Sequence, residues 1–455
     1  MSPATSNFRI CIVGGGIGGL TALIRNMPLA NDRAIFLRSE GREIVVLEQS
    51  RMLKEVGAAI SLQPNASGIF ERLGLGEDLK KAGGIIDNGF QIFRTDGIRQ
   101  LQVPSKRETN NGYDRILFHR VDLHGMLKDV ATREDSEKGP AATLRLGSRV
   151  ASCDCEQGTI SLESGEELGP FDLIIGADGI HSKIRDSVLG EHVDPIPTGL
   201  SAYRLSVSCE SRASYSRAWT DVAPLITPKI PRDNIKDLPH AYAQCTQEPW
   251  TSMLVGQACR AIMGPCRNGE LLSIVALVPD DQLHEQSTDS WTSSGSLEHL
   301  LESFAAFPEW TKTLFSRSPS LGLWQLRDLD PLSRWNKGRV ILIGDAAHAM
   351  LPTQGQGASQ SIEDAEALGA FFKGISSQPS KSEVEAVLKR VYDVRHERAT
   401  LLQKYSRQQG KPAANSETLE VTLNPAEFHA YNVGYNGAVE WEKKMASENA
   451  LATAT

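Results

Sequence analysis

Glycines at positions 14, 16 and 19 directly follow the apolar run RICIV (9–13), in the pattern Gly14-x-Gly16-x-x-Gly19. A strand that breaks into such a turn lets the backbone approach a pyrophosphate and aims N–H groups at its charge. Glu48 ends the next apolar run, EIVVLE (43–48), where a carboxylate can accept hydrogen bonds from ribose hydroxyls. Together these residues point to a dinucleotide. Each also has a plainer reading, an ordinary glycine turn and a solvated strand-end glutamate.

Three further segments narrow the chemistry. HRVDLHGML (119–127) places Arg120 at a helical start, DLIIGADGIHSKIR (172–185) carries Asp178-Gly179, and GRVILIGDAAHAMLPTQGQGASQSIEDA (338–365) carries Gly344-Asp345, Pro352 and a glycine-rich helix entry. Read locally, Asp178 is a strand-to-turn aspartate held by backbone amides, and Asp345 is a helix N-cap before AAHAM. With the glycine turn and Glu48, these ordered motifs make the chain, from about residue 8 to about 410, resemble the flavin-dependent aromatic hydroxylases of the p-hydroxybenzoate hydroxylase fold. The resemblance is strongest to the salicylate-hydroxylase-like fungal FAD-dependent monooxygenases.

The resemblance implies FAD and NAD(P)H as cofactors. NAD(P)H would reduce the flavin, O2 would form a C4a-hydroperoxide, and an electron-rich aromatic ring would take one oxygen, in fungal secondary metabolism or phenol breakdown. It implies that Gly14, Gly16, Gly19, Glu48, Gly57, Ala59, Arg120, Asp178, Asp345, Gly357 and Ala358 line the cofactor. Glu48 would hold the adenosine ribose, Arg120 the phosphates or ribityl chain, and Asp345 the ribityl hydroxyls, with Gly355, Gly357 and Ala358 beside the isoalloxazine. Asp178-Gly179 matches a fingerprint tied to both FAD and NAD(P)H. Tyr203 and Arg204 in LSAYRLSV (200–207) fall where relatives carry substrate-side residues, and Arg204 is the expected holder of a phenolate or carboxylate. A structural arginine at a domain junction is the alternative there. His348 in GDAAHAM reads as scaffold.

These residues need an α/β architecture to hold them. The strands around the glycine turn predict a Rossmann-like domain with an inserted, mostly β domain and a C-terminal helical segment, and the resemblance makes the first the FAD-binding domain and the second the substrate domain. The expected division assigns 1–88, 112–198 and 330–378 to the FAD-binding domain. It assigns the hairpin 89–111, turning at Asp96-Gly97, and 199–329 to the substrate domain. The remainder, 379–455, reads as one long packing helix over 382–410 and a fraying tail, NALATAT.

Composition excludes several classes. The 455 residues carry a net charge of −8 without long single-sign blocks, which argues against nucleic acid and leaves a small molecule as the expected partner, an aromatic one by the resemblance. Seven cysteines without a CxxC pair make neither a disulfide framework nor a zinc site, and no histidine cluster has metal-ligand spacing. No apolar run is long enough to span a membrane, and the N-terminus has no basic and apolar leader pattern, so the expected location is cytoplasmic. No GxSxG elbow supports hydrolysis, and no Trp-x-Trp pair supports a halogenase. NADH versus NADPH, the substrate and the oligomeric state stay open.

Two departures stand out. Glu48 lies 34 positions beyond Gly14, where about 20 is usual in a dinucleotide-binding unit. Removing Leu23–Arg33 brings the spacing to 23 and joins an amphipathic helix, so LIRNMPLANDR (23–33) reads as an insertion that cuts the helix before Pro28 and lets it resume near Ala34. Residues 233–250 read as a second insertion, in the β domain. Two rival readings follow, a flavin oxidoreductase without oxygen insertion and a binding relative disabled by these insertions.

Overall fold

The computed structural model describes residues 7–24, 37, 41–51, 58–133, 141–208, 249–288, 293–375, 378–410 and 421–454. Gly57, the bulk of the first insertion and nearly all of the second lie outside them.

Buried β-branched runs assemble a six-stranded sheet in the order 336–337, 340–342, 173–176, 8–13, 42–48, 143–146. Every neighbouring pair is parallel except the short edge pair 336–337 with 340–342. The strand Phe8–Val13 lies at its centre, with Ile10 and Ile12 on one core and Cys11 and Val13 on the other. Both faces are covered, which is why these strands are apolar throughout rather than alternating.

Seven strands form a second sheet in the order 321–328, 196–208, 271–279, 260–266, 250–255, 89–94, 99–104. The hairpin turning at Asp96-Gly97 joins it through a parallel pairing of Gly89–Arg94 with Trp250–Val255. One face of this sheet packs on helices Leu297–Ser303 and Glu309–Ser316 through Tyr203, Leu205, Leu300, Phe304, Leu314 and Phe315. The other carries Leu200, Ala202, Trp324 and Leu326, and Leu351 packs into that cluster from the glycine-rich loop region. A three-stranded antiparallel sheet of Ala59–Leu62, Ile116–His119 and Ile85–Ile86 lies between the two large sheets. Ala59 N–H bonds Ser273 Oγ of the large β sheet at 2.9 Å.

The helix Gly357–Phe371 and the 30-residue helix Lys381–Gly410 pack together behind the parallel sheet. The chain then adds helices Pro425–Val433 and Ala438–Ala454, so the expected fraying tail is corrected to a helix that runs to Ala454. Trp441, Tyr435 and Ala438 in this region belong to the main core, which supplies the apolar contact a marginal helix needs.

Candidate functional site

Parallel strands send their C-terminal ends to one edge, and four of the expected cofactor positions follow from this alone. Val13 is level with both Gly176 and Leu47, and Gly176 with Leu342. Gly14, Glu48, Asp178 and Gly344-Asp345 therefore issue from the same edge of the sheet, where open α/β sheets bind ligands.

The glycine turn is closed to side chains on one side and open on the other. Gly14 has φ of +108°, and a Cβ there would lie 2.2 Å from the carbonyl oxygen of Ala177. A Cβ at Gly16 would meet nothing within 4 Å. The turn thus presses against its own sheet and leaves its outer surface free, the cradle a pyrophosphate requires. Glu48 shapes it: Gly15 N–H donates to Oε2 at 2.8 Å and Ser50 N–H to Oε1 at 2.7 Å. A carboxylate has about four acceptor positions, so capacity for ribose hydroxyls remains.

Arg120 opens the helix Arg120–Thr132, half-buried, with its N–H bonded to Ala58 O at 2.9 Å. His124, one turn along the same helix face, bonds the carbonyl of Gly15 through Nε2 at 2.7 Å. Arg120 therefore stands on the face turned toward the glycine turn. His124 was missed in the sequence, although its spacing of four from Arg120 carried the signal.

The two aspartates have different employment. Asp178 accepts from Ser182 Oγ at 2.6 Å and from the N–H groups of Lys183 and Ile184 at 2.8 and 3.2 Å. Burial pushes its carboxyl above the usual range, against those donors. Its carboxylate serves the start of helix Lys183–Leu189, the local role that its position after a strand allowed. Asp345 is exposed, and its carboxylate makes no hydrogen bond or ion pair among the described residues. The cap residue of its four-residue helix is Gly344, without a side-chain bond, so the N-cap reading of Asp345 is corrected. An uncommitted carboxylate at the ligand-binding edge suits a polyhydroxyl chain.

Behind Asp345 sits a sealed ionic network. Asp364 Oδ2 accepts from Gly344 N–H at 2.9 Å and from His348 Nε2 at 2.6 Å, and its Oδ1 accepts from Arg395 Nε at 2.9 Å. Glu363 binds Arg395, receives Arg398 Nε at 2.7 Å and NH2 at 2.9 Å, and accepts from Asn65 Nδ2 at 2.5 Å. All four charged side chains are fully buried. Burial opposes the charge on Asp364, yet His348 and Arg395 hold its carboxyl down to about 2. The loop that follows, Pro352–Gln354 and Gly355, abuts Ser61 of the small sheet and Gln63 just beyond its strand, and Gly357 and Ala358 open the next helix half-buried.

Tyr203 and Arg204 are separated by the pleat. Tyr203 is sealed in the helix-covered core, its hydroxyl donating to Glu285 Oε1 at 2.6 Å, and burial with that carboxylate pushes the phenol up. Its expected substrate-side role is thereby corrected, since adjacent residues on a strand point to opposite faces. Arg204 faces the other way, 6% exposed, its guanidinium 3.7 Å from the ring centroid of Trp324. Trp324, which the sequence reading passed over, shares its cluster with Leu351 from the loop that follows His348. Ala59 is half-buried beside this junction and pairs with His119.

An edge of this kind, beside an inserted β sheet, is the architecture of an enzyme that holds a dinucleotide across a parallel sheet. Among known families, one described as FAD binding domain matches residues 7–377. Hispidin-3-hydroxylase of Neonothopanus nambi is 30% identical over 449 residues, covering 98% of each chain. Salicylate hydroxylase of Pseudomonas putida is 28% identical over 414 residues, 89% of this chain and 85% of that one. The solved structure of a salicylate hydroxylase substrate complex has a TM-score of 0.66 at 27% identity, covering 91% of this chain and 92% of that one. The chain belongs to the FAD binding domain family, and is an FAD-dependent monooxygenase. The open glycine turn, Glu48 and the uncommitted Asp345 fit FAD.

Among the described residues, no group of three His, Cys, Asp or Glu could hold a metal ion, and no helix is long and apolar enough to cross a membrane.

Proposed function

We propose that this protein hydroxylates a phenolic aromatic small molecule, with NAD(P)H as reductant and O2 as oxidant. FAD, when bound, would supply the redox chemistry between NAD(P)H and O2 by which one oxygen atom enters the ring and the other leaves as water. Glu48, Arg120 and Asp345 hold the cofactor along the sheet edge. Support for an aromatic substrate comes from hydroxylases of salicylate and of 3-hydroxybenzoate among the relatives. The observation that carries the reading is the cation–π contact of Arg204 with Trp324 on the sheet face that meets Leu351. A guanidinium held over an indole ring is restrained in position, and its N–H groups can stabilise a phenolate or carboxylate oxygen in a site from which apolar neighbours exclude water.

The test is oxidation of NADH and NADPH by purified, FAD-loaded protein against a panel of phenols and hydroxybenzoates, with mass spectrometry of products. A phenol that stimulates oxidation and gains one oxygen atom supports the reading. Stimulated oxidation that yields peroxide alone with every phenol sinks it, in favour of a flavin oxidoreductase. Arg204→Ala is expected to retain FAD and lose product, whereas loss of FAD would return Arg204 to a structural role.

A further inference from the structure

His119 is 7% exposed, yet its Nδ1 is sealed from solvent without a hydrogen-bond partner. Buried polar atoms in folded proteins are nearly always paired, and an exception calls for a reason. The strand pairings locate the ring. His119 is paired with Ala59, Ala59 N–H bonds Ser273 Oγ, and Ser273 lies two residues before Val275, the partner of Arg204 in the next strand. His119 therefore sits where the small sheet meets the substrate sheet, one residue before Arg120.

Its neighbours are fixed. Asp122 Oδ2 lies 3.9 Å from Nδ1, beyond hydrogen-bond length. Asp122 is itself gripped by Arg267, whose Nε and NH2 donate to the two carboxylate oxygens at 2.7 and 3.0 Å. Arg267 and Asn268 hold φ of +51° and +55°, left-handed conformations that cost energy in a residue with a Cβ. Burial, then the charges of Arg267 and Arg204 against the opposing Asp122, push the imidazolium down to about 4, so the ring is neutral at physiological pH. The ring nitrogen nearer the carboxylate is the one whose proton Asp122 favours. Nε2 then keeps its lone pair, bonds no described residue and is not sealed.

We propose that His119 contacts the substrate, its Nε2 accepting the O–H of a hydroxyl on the aromatic ring, with Asp122 and Arg267 as positioning residues that set the tautomer. This rests on the hydroxylase reading above and deepens it. Arg204 would favour an anionic oxygen, whereas a neutral imidazole acceptor asks for a donor. The two together select a hydroxyarene over its methyl ether, because an ether leaves the buried acceptor unpaired.

The test uses FAD-loaded protein, the phenol that most stimulates the parent enzyme, and the methyl ether of that same hydroxyl. FAD dissociation is followed by flavin fluorescence and ligand binding by the shift of the visible flavin band. In His119→Phe, FAD affinity is expected to stay within about twofold, while the preference for phenol over ether falls by about tenfold or more, the equivalent of one hydrogen bond. In Asp122→Asn, phenol affinity should fall with FAD and ether affinities unchanged, a split that a merely structural role would not produce. An unchanged phenol-to-ether ratio in His119→Phe overturns the proposal, as does a loss of FAD affinity, which would assign His119 to the cofactor. A parent enzyme that no phenol stimulates overturns the hydroxylase reading itself and this role with it.

Discussion

The amide of Leu37 donates to the carbonyl of Ala22 at 3.3 Å. In a regular helix the partner of Ala22 O would be residue 26, so Leu37 occupies the place of a residue eleven positions earlier. Eleven is also the length of chain whose removal restores a normal spacing between Gly14 and Glu48. The helix Ile17–Ala22 does stop early, as the sequence predicts, and the chain returns to its end. The boundaries differ from those expected. Leu23 and Ile24 are 1% and 0% exposed and belong to the main core, whereas Met27 and Leu29 lie outside the described residues.

This relationship separates two deletions of equal length. Removing 25–35 keeps Leu23 and Ile24, while removing 23–33 puts Ala34 and Ile35 in their places, in effect a Leu→Ala change at a buried site. The first variant is expected to be the more stable by about 2–5 kcal/mol in denaturant titrations. It should also retain at least as much flavin as the parent. Equal stabilities would show that Leu23 is no part of the packing.

Asp345→Ala and Arg120→Ala are each expected to weaken FAD binding by about 1–3 kcal/mol, the range for a charge-assisted contact. Because Asp345 is exposed and uncommitted, its variant should melt like the parent when both are stripped of flavin. Flavin titration of the stripped proteins measures the first, and thermal unfolding the second. Undiminished FAD affinity in both would place the ribityl chain elsewhere.

Asp364→Ala is expected to behave in the opposite way. Asp364 is one of two carboxylates that bind Arg395 and the one that bonds His348 Nε2, and breaking a buried network by removing one partner costs about 3–5 kcal/mol. The loss should show in flavin-free protein, by urea unfolding, and FAD binding should weaken as well because Gly344 loses its anchor. A variant that loses FAD with no change in stability would mean the network serves the ligand and not the fold.

What could be read from the sequence was what the chain does locally. A strand that breaks at glycines announces itself, so the parallel sheet, the motif edge and the hairpin at Asp96-Gly97 were all legible. The Glu363, Asp364, Arg395 and Arg398 network was not, because its partners lie 31 to 35 residues apart on two helices. Charges at helical spacing read as a solvated face until the helices are packed. Tyr203 was a different failure. Strand alternation already sets neighbours on opposite faces, and only one of Tyr203 and Arg204 could have met the substrate.

His119 predicts an acid response. Its imidazolium is pushed from an ordinary 6.5 to about 4 in the folded protein, by burial first and the neighbouring arginines next. Between those values the unfolded chain binds a proton that the folded one refuses, so this residue's share of stability is present above pH 6.5 and is lost as pH falls toward 4. The unfolding free energy of the parent relative to that of His119→Gln, measured across that window, should therefore fall as the pH drops from 6.5 toward 4. Parallel curves would mean that the ring is hydrated and titrates normally.

The sealed network behind Gly344 differs from the ion pairs on the surface in one more respect. Exposed pairs such as Lys389 with Asp393 or Lys80 with Glu77 are reached by dissolved ions and fade as salt is added. Glu363, Asp364, Arg395 and Arg398 are two anions and two cations with no solvent between or around them. Counterions cannot enter to screen them. The backing of the Gly344-Asp345 turn is thus indifferent to ionic strength, and the turn keeps its shape from dilute buffer to concentrated brine while the molecule's outer charges come and go.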